Sequence, residues 1–273
     1  MPWPILDRLI NTPAPPADAR LAYGPHPLHF GDLRLPAGPG PYPVVVVVHG
    51  GSWTARYNLE FMGHAAAALT AAGVATWNVE FRRVGDLGGG WPGTFLDVAA
   101  ALDHLRELVP RYGLDLGRVV VTGHSSGGHL ALWLGARARI PAGDPLFTPN
   151  PLPVRAIVAV AAVGDLEYRW KIQPEGPSVV AFLGGTPLEV PERYATGSPA
   201  NLVPLGVPQT IVHGTADDIT PFDLGEVYYE RARAAGDAST LVPVPGAGHF
   251  EVIDPESPAW AIVQPATLAP LVE

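Results

Sequence analysis

Three observations predict an α/β fold, with a mostly parallel central sheet and helices on both of its faces. A run of five valines, Val44-Val45-Val46-Val47-Val48, offers no polar residue to water on either side, the mark of a strand buried on both faces. Runs rich in β-branched residues then alternate with apolar helical stretches along most of the chain, as parallel strands with crossover helices require. Finally, 273 residues of which 47% are hydrophobic and only 16% charged can fill the core of one large domain.

In order along the chain, residues 1–27 are proline-rich and aperiodic and read as an irregular strap over the surface, anchored by Trp3 and Ile5, with no chemistry assigned. The domain proper, 28–273, opens with a strand over 28–35, a turn over 36–43 and the valine strand over 44–48. Helical periodicity over 59–72 and 94–109 brackets a strand over 74–79, and a strand over 119–122 runs into an apolar helix over 126–138. Strands over 156–163, 209–213 and 240–244 and helices over 223–235 and 258–271 repeat the theme. Between 164 and 208 no period is clear; this stretch reads as a short cap excursion over the carboxyl edge of the sheet, with Tyr168 and Trp170 among its pocket-lining candidates.

Charge and composition narrow the partners. A net charge of −9 without any basic run argues against nucleic acid and for a small neutral substrate. The absence of cysteine excludes disulfides, thiol catalysis and cysteine-ligated metals. The first ten residues lack the pattern of a secretory signal, and the longest apolar runs fall far short of the roughly 18 residues that span a bilayer. The expectation is a soluble, cytoplasmic protein with no membrane partner. No pair of histidines has metal-ligand spacing with a third partner, so neither metal nor other cofactor is expected.

The most specific signal is Gly123-His124-Ser125-Ser126-Gly127, set between a strand and a helix. A turn this tight holds the serine hydroxyl out at the sheet edge, and its glycines remove side chains that would collide with neighbouring backbone. Ser125 is therefore the candidate nucleophile. A serine hydroxyl needs a base, and the base an orienting acid. His249, after the glycines of Gly246-Ala247-Gly248, is the candidate base; Asp217 or its neighbour Asp218, in the turn after the 209–213 strand, is the candidate acid, with Asp165 a third choice. Protonation of His249 would remove the base, so activity should fall between roughly pH 5 and 7. After the valine strand, His49-Gly50-Gly51-Ser52-Trp53 lets backbone come close to substrate. The N–H groups of Gly51 and Ser52, with that of Ser126, are the expected oxyanion donors, and Trp53 a further candidate for the pocket wall.

Together these four segments resemble the α/β-hydrolase superfamily from about residue 28 onward, in particular its small esterases, its arylformamidases and the catalytic domains of prolyl-oligopeptidase-like peptidases. The chain order serine, acid, histidine is that of the superfamily. The resemblance selects Asp217, because His213-Gly214-x-x-Asp217-x-x-x-Pro221 is similar to its acid loop, and it implies the triad Ser125, Asp217 and His249. His49-Gly50-Gly51-Ser52-Trp53 is similar to the oxyanion loop of arylformamidases, and Ser52 replaces the third glycine of hormone-sensitive-lipase-like esterases. The implied activity is hydrolysis of small soluble carboxylic esters through an acyl-enzyme. Alternatives are hydrolysis of an activated aryl formamide and, in another class, a non-catalytic binding protein on the same fold.

Overall fold

The computed structural model describes residues 3–172 and 177–272. Eight strands form one sheet in the order β1-β2-β4-β3-β5-β6-β7-β8. These are β1 (Ala19–Ala22), β2 (Phe30–Arg34), β3 (Tyr42–Val48), β4 (Ala75–Val79), β5 (Leu114–His124), β6 (Ala156–Val160), β7 (Gln209–Gly214) and β8 (Ser239–Val244). The first two pair antiparallel at one edge, and β4 through β8 run parallel with β3.

The valine run sits at the centre. Val44 pairs with Ala75 on one side and Val119 on the other, and Val48 with Val79 and Gly123. Because successive side chains of a strand point to opposite faces, Val44, Val46 and Val48 enter one core and Val45 and Val47 the other. Helices α3 (Gly93–Asp103), α4 (Leu105–Tyr112), α5 (Ser126–Ala136) and α9 (Phe222–Ala234) cover the first face. The second is covered by α1 (Pro4–Asn11), α2 (Gly63–Ala71) and α10 (Trp260–Val272).

Several local expectations are corrected. The N-terminal strap is ordered into α1 and the edge strand β1: Pro4 supplies a preset φ at the first helical position, and Leu6 and Leu9, more than Ile5, are buried. The helix expected over 94–109 is two helices that meet at His104. The excursion over 164–208 carries α6 (Leu166–Ile172), α7 (Pro177–Leu183) and α8 (Pro191–Gly197), each of seven residues and too short to register as a period; its residues 173–176 lie outside those described.

From β3 the chain crosses to β4 on one side, and from β5 it proceeds to β6, β7 and β8 on the other. The strand order therefore reverses between the carboxyl ends of β3 and β5, the crevice where open α/β sheets place ligands.

Candidate active site

Ser125 stands where β5 gives way to α5, with φ 56° and ψ −121°, a conformation that side-chain-bearing residues rarely adopt. Packing enforces it. A Cβ on Gly123 would lie 2.2 Å from Gly127 O, and one on Gly127 would lie 2.3 Å from Val48 O and 2.4 Å from His49 O. Both flanking positions are thus closed to any residue but glycine. The Ser125 N–H donates to Val160 O at 2.9 Å, tying the turn to β6.

Asp217 and His249 come from the loops after β7 and β8. Among the candidate carboxylates, Asp217 alone meets the candidate base: its Oδ2 accepts from His249 Nδ1 at 2.7 Å. Its Oδ1 accepts the N–H groups of Ile219 at 2.9 Å and Thr220 at 2.8 Å. Burial pushes this carboxyl's pKa up, but contacts with His213 and His249 and the Thr220 N–H outweigh burial and hold it well below the usual carboxylate range. His213 Nε2 lies 3.5 Å from Oδ2 and gives its proton to Thr220 O at 2.7 Å, which braces the acid turn. The rival Asp218 is exposed and makes no hydrogen bond among the described residues. Asp165 is occupied elsewhere, by Arg231 at 3.1 Å and the Tyr168 N–H at 2.9 Å.

Ser125 and His249 line the same cleft, of about 420 Å³, with Gly51 and Ser52. No hydrogen bond joins the serine hydroxyl to the imidazole among the described residues; such bonds are often long in free enzymes and tighten around substrate. His124 fixes the backbone of the candidate base, donating from Nε2 to His249 O at 2.8 Å, and burial keeps His124 neutral by lowering its pKa well below the ordinary histidine value.

The loop after β3 carries three successive residues of positive φ, Gly51 (115°), Ser52 (55°) and Trp53 (57°). Among the described residues the N–H groups of Gly51, Ser52 and Ser126 donate no hydrogen bond. A Cβ on Gly50 would meet His124 O at 2.8 Å and Ser125 Cβ at 3.2 Å, so glycine there lets this loop press against the nucleophile turn. His49 braces the loop, its Nε2 lying 3.2 Å from Glu80 Oε1 and its ring stacked on Phe81 at 4.3 Å.

Glu80 was not singled out by the sequence pattern. Only 1% exposed, it also meets Arg83 at 3.0 Å and accepts the N–H groups of Phe81 at 2.9 Å and Leu59 at 3.1 Å. Burial raises its pKa, but His49, Arg83 and the Phe81 N–H more than offset this and hold the carboxyl below its usual value. A charged residue directly after a strand, Ala75–Val79, at the edge of the sheet where the site lies, was the available signal.

Three proposed pocket residues stand elsewhere. Trp53 is buried in the core, its Nε1–H donating to His129 Nδ1 at 3.1 Å and its ring stacked on Phe182 at 4.9 Å. Tyr168 directs its hydroxyl to Asp223 at 3.0 Å, and Trp170 is half-buried on α6; neither lines the cleft of Ser125. Its walls come instead from Thr54, Arg56, Tyr57, Phe61, Ile219 and Phe250, from Trp3 at the N-cap of α1, and from Leu6 of that helix.

With this geometry in place, comparison with known proteins is informative. A model of the BD-FAE family matches residues 32–231. Esterase LipC of Mycobacterium tuberculosis is 30% identical over 250 residues, covering 86% of this chain and 60% of LipC. A truncated carbohydrate esterase from gut microbiota superposes with a TM-score of 0.80 at 23% identity, over 94% of this chain and 99% of that one. An inhibited esterase B from Lactobacillus rhamnosis gives 0.84 at 19% identity, over 97% and 90% of the two chains. The two structural likenesses show a shared α/β-hydrolase fold. The chain spans 46% to 60% of the length of the three curated mycobacterial esterases it matches.

Proposed function

The chain belongs to the BD-FAE family, and from that premise we propose that it is a serine-dependent carboxylic ester hydrolase acting on small-molecule esters through an acyl-enzyme. The observation that carries this reading is the 2.7 Å bond from His249 Nδ1 to a carboxylate already held by two backbone N–H groups, beside a serine in a strained turn.

That bond keeps the Nδ1 proton in place and leaves the Nε2 lone pair free to accept the Ser125 proton as Oγ attacks the ester carbonyl. Negative charge then gathers on the former carbonyl oxygen, where the free N–H groups of Gly51, Ser52 and Ser126 serve as donors, each worth about 3 to 4 kcal/mol of barrier. Collapse of the tetrahedral intermediate breaks the C–O bond, and His249 returns its proton to the leaving alkoxide. Water, deprotonated by the same imidazole, attacks the acyl-serine and releases the acid. Relatives described as esterases, LipC among them, support an ester over an amide substrate.

No described helix is long and apolar enough to cross a membrane. We propose a cytoplasmic location, with which a cysteine-free chain is compatible.

Turnover of p-nitrophenyl acetate and butyrate by the wild type and Ser125→Ala, with fluorophosphonate labelling of both, tests the proposal. Labelling and turnover in the wild type only are expected. A wild type that neither labels nor turns over either ester would overturn it.

A further inference from the structure

The cleft of Ser125 has a wall that does not come from the loops at the sheet edge. Trp3, at the N-cap of α1, and Leu6 within it line the cleft together with Phe250, the residue after the candidate base. The Trp3 ring meets Phe250 edge-on at 5.9 Å, and the Phe250 ring stands 5.1 Å from that of His249. Two attachments hold α1 in this position. Leu6 and Leu9 are buried in the core beneath it, and Arg8 pairs with Asp254 at 2.5 Å and Glu256 at 3.0 Å, in the stretch that follows His249. The helix and the loop bearing the base are therefore fastened to each other.

The chemistry of the site says which part of a substrate meets this wall. A base that hands its proton to the leaving oxygen must have the leaving group beside it. Phe250, which meets His249 on the cleft side, and Trp3, which packs on Phe250, therefore stand nearer the alcohol portion of the ester than the acyl portion held at Ser125. Trp3 is itself only half-buried, so it covers the rim of the cleft without plugging it, and adds contact area for a bound group. Its indole and the ring of Phe250 offer an edge and a face to an aromatic guest.

We propose that Trp3 is a specificity-determining residue: with Phe250 it forms an apolar subsite for the alcohol portion, so that the preferred substrates are esters of aromatic or bulky apolar alcohols. This inference rests on the ester-hydrolase reading above.

Two acetate esters, benzyl and ethyl, compared by kcat/KM in the wild type and Trp3→Ala, vary only the alcohol; methyl butyrate and methyl acetate vary only the acyl group. In Trp3→Ala the benzyl-to-ethyl ratio is expected to fall about tenfold, with the butyrate-to-acetate ratio retained and Trp3→Phe restoring most of the loss. An unchanged benzyl-to-ethyl ratio, or a shift confined to the acyl pair, overturns the assignment. Calorimetric binding of benzyl acetate to Ser125→Ala, with and without Trp3→Ala, decides the matter independently of turnover. Should the wild type prove silent on every ester, the hydrolase reading fails, while a weaker affinity in the double variant still upholds the subsite and an equal affinity removes it.

Discussion

Replacing Asp217 by asparagine alters the hydrogen-bonding character of one atom and almost nothing of the shape. Asp217 Oδ1 takes two backbone N–H groups, at 2.9 and 2.8 Å, while Oδ2 takes the His249 Nδ1 proton at 2.7 Å. An asparagine that keeps its oxygen on the two N–H groups turns its NH2 toward His249. The imidazole must then present a lone pair at Nδ1 and carry its proton on Nε2, where it can no longer accept the proton of Ser125. The flipped amide would instead set NH2 against two backbone donors and leave both unpaired, at about 1–3 kcal/mol each. The first arrangement therefore prevails, and the variant folds around the wrong tautomer. The same substitution in a serine protease triad costs roughly four orders of magnitude in kcat, equivalent to about 5.5 kcal/mol of barrier. We expect a loss of that order for Asp217→Asn on p-nitrophenyl acetate, with calorimetry showing a cooperative transition near that of the wild type. A loss below tenfold in a variant that melts within a few degrees of the wild type would refute the role given to Asp217.

Other expectations follow from the same contacts. Glu80→Ala strands His49, Arg83 and two backbone donors in the core, and urea denaturation should show a cost of about 3–5 kcal/mol together with reduced turnover; an unchanged midpoint would remove Glu80 as the support of the oxyanion loop. Gly127→Ala places a methyl group within 2.4 Å of two carbonyl oxygens of neighbouring backbone; expression of folded, active protein at the wild-type level would contradict the close packing described. His129 accepts from Trp53 Nε1–H at Nδ1 and donates from Nε2 to Gly197 O at 2.8 Å, a pattern only the neutral ring can satisfy, and burial pushes its pKa down to about 4. Its contribution is fully present above the ordinary value of 6.5 and is lost as pH falls toward 4, at about 1.4 kcal/mol per pH unit. Urea midpoints from pH 7 to 4 should thus decline more steeply in the wild type than in His129→Gln, and parallel declines would count against it.

The parts of the fold most legible in the sequence were those where burial on both faces leaves a continuous apolar run, as at residues 44–48 and 119–122. The edge strand Ala19–Ala22 alternates half-buried and exposed positions, too weak a pattern to stand out among prolines, and the seven-residue helices of the excursion complete barely two turns. At the candidate site, Ser125, Asp217 and His249 could be proposed from sequence because short glycine-bearing turns after strands put them at one edge of the sheet. The cleft walls were not. Trp3 reaches the site from more than a hundred residues upstream of Ser125 through tertiary packing alone, and Trp53, the last residue of the candidate oxyanion loop, turns away to His129. Aromatic character announces a large apolar surface but not the direction it faces.

Five identical valines at the centre of a sheet also raise a question of alignment. In most strands, alternation of apolar and polar residues penalises a slip, because a shift of one residue turns the wrong side chains inward. Between Val44 and Val48 a slip exchanges valine for valine in both cores, so the strand's own composition is nearly indifferent to its position. What distinguishes one alignment from another lies past the end of the run: His49 against Glu80, and Gly50 against the backbone of His124. A displacement by two residues would carry these groups about 6.6 Å along the strand, removing the imidazole from its carboxylate and bringing a valine where only glycine fits. The loop assigned to stabilising an oxyanion thus also serves as the stop that keys the central strand, and damage to it should appear as misaligned, aggregation-prone chains as well as slow enzyme.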